Sequence, residues 1–331
     1  MDMKIETSFT KMMNIQYPII GAPMFLVSNA DVVVAISEAG GIGTFPSLNY
    51  RPQEKFSEAL KEIKSRTKKP IGINIIVNKS NTRAEADLKT ALDHGVELFI
   101  TSLGTPKGVI IDAHKNGAKV VCDVVNLEHA KKVQDLGADG VIAVGAGAGG
   151  HAGPISPLVL VSWLQKKLDI PVIAAGGIAN GATMASMLTL GASAVSIGTR
   201  FIASKEATVD QAYKDAVVNS SPEDIVMTTQ LSGTPAAVIR TPYIDRIGLD
   251  LPWYLKVLKN QKMTKKYVVP LIHALGSKAL EEAATGATWK TVWSAGQSVG
   301  LIEEILSCED IMKQLIREFD ECMKKAPQLV L

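Results

Sequence analysis

The sequence predicts an α/β fold, a (β/α)8 TIM barrel with a small, mostly helical lid domain inserted after strand eight, and three observations predict it. Short apolar runs alternate with helical segments eight times between Tyr17 and Arg200, the rhythm of parallel βα units. Runs such as VIAV at 141–144 lack a two-residue alternation, so both of their faces are covered, as in a parallel sheet flanked by helices. Glycines follow the runs, above all Gly176-Gly177 after the seventh and Gly198 with Thr199 after the eighth, the corner where such barrels hold phosphate. A doubly wound open sheet is the competing topology, and the even spacing of eight units favours the barrel.

In chain order, YPIIGAP is the first strand, and Asn29 caps a helix that Gly40 ends. GIGTFPS is the second strand, Arg51 to Arg66 a charged amphipathic helix, and PIGINII the third strand, with the single amide Asn74 among apolar neighbours. Helices over 82–94, 106–116 and 127–136, the last capped by Asn126, separate strands ELFITSLG, KVVCDVV and VIAV. A helix over 156–168 leads to PVIAAGG, and one over 180–190 leads to AVSIGTR. From about Ser204 the rhythm fails. Residues 1–204 and 287–331 are therefore assigned to the barrel and 205–286 to the lid, with WSAGQSVGLIEEI at 293–305 returning as a glycine turn and an apolar-periodic helix.

Composition narrows the partners. The 331 residues are 47% apolar and 21% charged, ordinary for a protein with a full core. With 35 basic against 33 acidic residues the net charge is +2, which points away from nucleic acid and anionic membranes and toward a small molecule. Cys122, Cys308 and Cys322 form no C-x-x-C pair, which suggests a reducing compartment. The N-terminus lacks a signal-peptide profile, and no run reaches the roughly 18 apolar residues of a membrane span, so the expected location is cytoplasmic.

The candidate site opens at VIAVGAGAGGHAGP, 141–154. Gly145, Gly147, Gly149 and Gly150 let main chain approach a ligand, and His151 can exchange a proton near neutral pH. Gly145, Gly147 and Gly150 spell a G-x-G-x-x-G, but Pro154 and Pro157 delay the following helix and no acidic residue ends the next strand, as a dinucleotide site requires. The glycine turns at 176–177 and 198–199 offer N–H groups and a hydroxyl to a phosphate, with Arg200 either adding charge or lying at the surface. An apolar rim bearing Asn74 and Met24 suits a flat aromatic ring such as a flavin, its edge met by main chain at Ala22, Pro23 and Met24. Asn74 is equally readable as an amide bridging strands, and Asp123 as a carboxylate paired inside the mouth. His94, His114, His129 and His273 read as structural, and no pair has metal-ligand spacing.

GAPM, AGGIG, GINIIVN, GAGAGGHAG, IAAGGIANG, IGTRF and AGQSVGLI together resemble the nitronate monooxygenases, formerly called 2-nitropropane dioxygenases. The resemblance runs from about Ile19 to Phe201 and resumes at Ala295. It implies an FMN-containing barrel with a lid, His151 as catalytic residue, and FMN contacts at Ala22, Pro23, Met24, Asn74, Asp123, Gly149, Gly150, Gly176, Gly177, Gly198, Thr199 and Gln297. The sequence departs from the family at Asp123, a ring-side position often basic or neutral there, where a carboxylate disfavours an anionic reduced flavin. It departs also at Ile20-Gly21, where many members carry glutamine, and at Ala148.

The activity this implies is oxidation of an alkyl nitronate, with O2, to a carbonyl compound and nitrite. In that scheme His151 positions the nitro group and removes the α-proton of neutral nitroalkanes. Flavin-dependent enoyl-acyl-carrier-protein reductases share nearly all these motifs, so NAD(P)H-dependent enoyl reduction is the alternative. A non-catalytic flavin-binding protein and a flavin-free barrel isomerase stand further off. Substrate and oligomeric state, a homodimer included, stay open.

Overall fold

The computed structural model describes residues 4–78, 81–230, 234–250 and 292–329. Eight parallel strands form a closed barrel: β1 (Ile19–Gly21), β2 (Ile42–Pro46), β3 (Ile71–Ile76), β4 (Leu98–Ser102), β5 (Lys119–Val124), β6 (Gly140–Val144), β8 (Val172–Ala175) and β9 (Ala194–Ile197). Closure comes from β1 pairing with β9, Ile20 opposite Ser196.

Helices α2 (Ala30–Glu38), α3 (Gln53–Arg66), α4 (Ala84–Asp93), α5 (Lys107–Lys115), α6 (Leu127–Asp135), α7 (Pro157–Gln165) and α8 (Gly181–Thr189) follow successive barrel strands. The two expected caps are present, Asn29 Oδ1 accepting from Val32 N and Asn126 Oδ1 from His129 N, and Asn180 Oδ1 caps α8 in the same way by accepting from Thr183 N, at 2.8–2.9 Å. The strands' outward side chains and the helices' inner faces form the larger core. A second core fills the barrel, with Ile20, Ile42, Leu98, Ile100, Val121, Ile142, Ile173 and Ala194.

That inner core has a bottom the sequence reading did not anticipate. Helix α1 (Ser8–Met13), capped by Thr7, adds Phe9, Met13 and Ile15 to it. Ser8 Oγ donates to Ser193 Oγ at 2.9 Å, just ahead of β9. The N-terminal end of the barrel is thereby plugged, and the C-terminal end is left for chemistry.

Beyond β9 come the one-turn α9 (Thr199–Ile202) and α10 (Gln211–Asn219). Strands β10 (Ile225–Thr228) and β11 (Ala236–Ile239) follow, then α11 (Pro242–Ile247). The described part of the 205–286 segment is thus helical with a small antiparallel sheet, whose third strand is β7 (Gly150–His151) from the glycine-rich loop. The lysine- and alanine-rich helical pieces, His273 and the 286–287 boundary lie outside the described residues. The return at 293–305 is a glycine turn and a 3-10 turn at Gln297–Leu301, and the helix begins only at Cys308 as α12 (Cys308–Lys325). Val299 and Ile302 are both buried, and their three-residue spacing suits the 3-10 turn. Among the described residues, no helix is long and apolar enough to cross a membrane.

Candidate active site

Strand alternation sets the floor of the open end. Where Ile42, Ile100, Val121 and Ala194 point into the barrel, the residues two further along point inward one layer higher. They are Thr44, Ser102, Asp123 and Ser196, and Asn74 on β3 also points inward, beside Ile100. An apolar interior therefore ends in a polar layer.

Three of these side chains form one directed chain. Asn74 Nδ2 donates to Ser102 Oγ at 2.8 Å and to the Ile100 carbonyl at 3.2 Å, and Ser102 Oγ donates to Asp123 Oδ2 at 2.5 Å. Asn74 is thus the strand-bridging amide and still presents Oδ1. Burial pushes the Asp123 carboxyl up to about 6, with the Ser102 hydrogen bond pulling the other way. Ser102 escaped the sequence reading, although its place two residues after the inward Ile100 was the available signal.

The opposite rim is built from backbone. Ala22 N donates to Ile197 O at 2.8 Å, and Ser28 Oγ both donates to Ala22 O and accepts from Met24 N, fixing the turn through Pro23. Gly198 adjoins it: a Cβ there would lie 3.6 Å from both Ala22 Cβ and Met24 Sδ. Thr199 Oγ1 accepts from Gly296 N at 3.0 Å, which leaves the hydroxyl proton to donate elsewhere. Gln297 N donates to Gly147 O at 3.1 Å, and a Cβ on Gly147 would meet Gln297 Oε1 at 3.3 Å and Gly177 N at 3.7 Å. Ala22, Met24, Gly198, Thr199, Gln297, Gly147 and Gly177 are therefore one continuous belt.

The glycines divide into two kinds. Gly177 has φ +73° and open space where a side chain would stand, and Gly150 has φ +67° and the same. Gly149 instead faces protein, since its Cβ would lie 2.9 Å from the Ala295 carbonyl carbon and the Gly296 nitrogen. Its missing side chain serves the close packing of loop 145–150 against 295–297.

Two expected anion contacts are engaged elsewhere. Arg200 is 3% exposed and neither surface residue nor phosphate ligand, because its guanidinium donates to the Glu304 carbonyl at 3.0 Å. At the start of α8, Gly181 N donates to Glu318 Oε2 at 2.8 Å and Thr183 N to Asn180. The glycine turn and Thr199 are what remains for an anion on this rim. His151 sits exposed on β7, opposite Ala236 of β11, where the second sheet meets the glycine loop. Two of the other described histidines have protein partners, as a structural reading requires: His94 pairs with Thr90 O and Ser57, and His114 with Asp139.

A sequence model described as nitronate monooxygenase matches residues 6–91 and 83–318. The chain belongs to the nitronate monooxygenase family. Similar proteins include FabK from Thermotoga maritima, 32% identical with a TM-score of 0.86 over 99% of this chain and 100% of that one. Another is the (3aS,4S,5R,7aS)-5-hydroxy-7a-methyl-1-oxo-octahydro-1H-indene-4-carboxyl-CoA dehydrogenase of Mycobacterium tuberculosis, 28% identical over 99% of this chain and 100% of that protein. A probable nitronate monooxygenase of Staphylococcus saprophyticus is 28% identical over 98% and 100%. Within the nitronate monooxygenase family this chain is thus a flavin-dependent oxidoreductase, and membership implies FMN. The open glycine turn, the free Thr199 proton and the flat backbone rim fit a phosphate-bearing ring.

Proposed function

We propose that this protein is an FMN- and NAD(P)H-dependent reductase of enoyl thioesters, carried by acyl carrier protein or CoA. The likeness to FabK carries the reading, because it is the higher in identity and covers 99% of this chain and 100% of that one. The full-length likeness to a carboxyl-CoA dehydrogenase supports a thioester as substrate. Electrostatics agree. Of the inward strand side chains at the mouth, Asp123 alone is ionisable among the described residues, and an acidic floor suits a neutral enoyl thioester better than a nitronate anion.

In this reading Gly176, Gly177, Gly198 and Thr199 hold the FMN phosphate, and Ala22, Pro23, Met24 and Gln297 line the ring. Asn74 and Asp123 meet the ring's polar edge, with Gly149 and Gly150 shaping the loop above. Bound FMN supplies two-electron transfer between the nicotinamide donor and the double bond. His151 gives a proton to the substrate carbon next to the thioester carbonyl.

The test is the visible spectrum of FMN-loaded protein under anaerobic conditions. Bleaching by NADPH or NADH, then return of colour and loss of the double bond on adding crotonyl-CoA, is the expected result. Bleaching by propyl-2-nitronate but by neither nicotinamide, with nitrite formed on admitting air, would overturn it in favour of nitronate oxidation.

A further inference from the structure

The directed chain from Asn74 through Ser102 to Asp123 does more than bridge strands. Ser102 has one hydroxyl proton, and it is committed to Asp123 Oδ2 while its oxygen accepts from Asn74. A proton arriving at the carboxylate is therefore directed to Oδ1, for which no hydrogen-bond partner exists among the described residues. Among the described residues, the strand side chains flanking Asp123 carry no charge: Ser102 lies on β4, Ile142 and Val144 on β6, and Thr44, Asn74 and Ser196 complete the floor. Along β5 itself, Cys122 points outward into the helix-facing core, and Lys119, paired with Asp139, lies at the far end. His151, titratable as well, stands on β7 in the loop that follows β6.

We propose that Asp123 is the site at which this protein takes up a proton when its bound ring is reduced, Ser102 fixing Oδ1 as the oxygen that carries it. The inference rests on the FMN reading above. Two electrons and one proton leave the nicotinamide donor together, which places one negative charge on the ring. The Asp123 carboxylate then binds a second proton from solvent, forming an Oδ1–H bond that donates to the ring edge. When the substrate takes the electrons away, that proton returns to solvent. Burial already holds the carboxyl near the pH where such uptake occurs, and a buried acid kept neutral to donate a hydrogen bond is sound chemistry.

The experiment is the midpoint reduction potential of FMN-loaded wild type, D123N and S102A, measured against pH from about 5 to 9. Its slope counts protons per electron without reference to turnover. Wild type should show two protons per two electrons and D123N one, so the slope halves. S102A should keep the steep slope but move its onset to higher pH, because the hydrogen bond that lowers the Asp123 pKa is gone. A wild-type slope in loaded D123N overturns the proposal, as does an unmoved onset in S102A, which decides alone if D123N does not hold FMN. Wild-type protein that stays colourless with FMN overturns instead the flavin reading beneath it.

Discussion

Replacing Gly296 with alanine tests how the return segment holds the belt together. A Cβ at 296 would drive into the Gly147 carbonyl oxygen and lie 2.8 Å from Gly149 N and 2.9 Å from the Ala148 carbonyl carbon. All three are backbone, so no side chain can swing aside, and the segment must lift off the glycine loop. Overpacking of this kind costs about 1–3 kcal/mol. The same displacement strips the buried Gly296 N–H of its Thr199 acceptor, which costs about 1–3 kcal/mol. Because one movement causes both, the sum is bounded at about 2–5 kcal/mol. For a chain this long that lowers Tm by about 4–10 °C. Gln297 and Thr199 move with the segment, so the Kd for FMN should rise at least tenfold, about 1.4 kcal/mol. Thermal unfolding of the apoprotein and fluorescence titration with FMN measure the two effects. Gly108, which has nothing within 4 Å of its Cβ position, is the control: G108A should be neutral or slightly stabilising. A G296A protein with wild-type Tm and an FMN Kd within twofold would refute the close-packing argument.

Three further outcomes are expected. His151→Ala should lower enoyl-thioester turnover by about 10²–10⁴ while FMN binding stays within a few fold, read by stopped-flow reoxidation and by titration. Arg83→Met should destabilise the fold by about 3–5 kcal/mol in urea unfolding, since it strands the wholly buried Asp87, whose Oδ1 lies 2.9 Å from the guanidinium. The Asp123 pKa is raised from 3.8 to about 6 by burial, so its contribution to apoprotein stability is complete below the unfolded pKa. It is lost as pH rises through the folded one. Wild type should accordingly lose on the order of 2–3 kcal/mol relative to D123N between about pH 4 and pH 6.5, and equal pH dependence in the two would contradict the assignment.

The barrel was legible because each βα unit is local: an apolar run such as VIAV and an asparagine cap such as Asn126 declare themselves within a few residues. The candidate belt was legible for a related reason, since glycines, Thr199 and Asn74 stand at strand ends. What escaped depends on distant chain. Strand β7 has two residues and exists only because Ala236 and Ala237 pair with it. Strands β10 and β11 have four residues each, too short for an alternation to register. That Gly149 also has to lack a side chain for packing was hidden, because the neighbour its Cβ would meet, Ala295, lies far along the chain. Arg200 read as a charge for phosphate or the surface because only the fold reveals the Glu304 carbonyl it serves. Ser102 was within reach of pattern reasoning, through the alternation that places it two residues after the inward Ile100 on β4.

Helix α12 gives the barrel an order of assembly. It packs on α8 and α2, which flank the seam where Ile19–Gly21 meets Val195–Ile197. It is fastened by the Glu318 carboxylate on Gly181 N and by Ile311, Met312, Leu315 and Phe319 in the core. During translation, the first and last strands of the ring are complete long before the helix that clasps their join leaves the ribosome. At about 5–20 residues per second the delay is on the order of ten seconds. Through that interval the nascent ring has two unclasped edges, and a holdase that covers them until the helix emerges should raise its soluble yield.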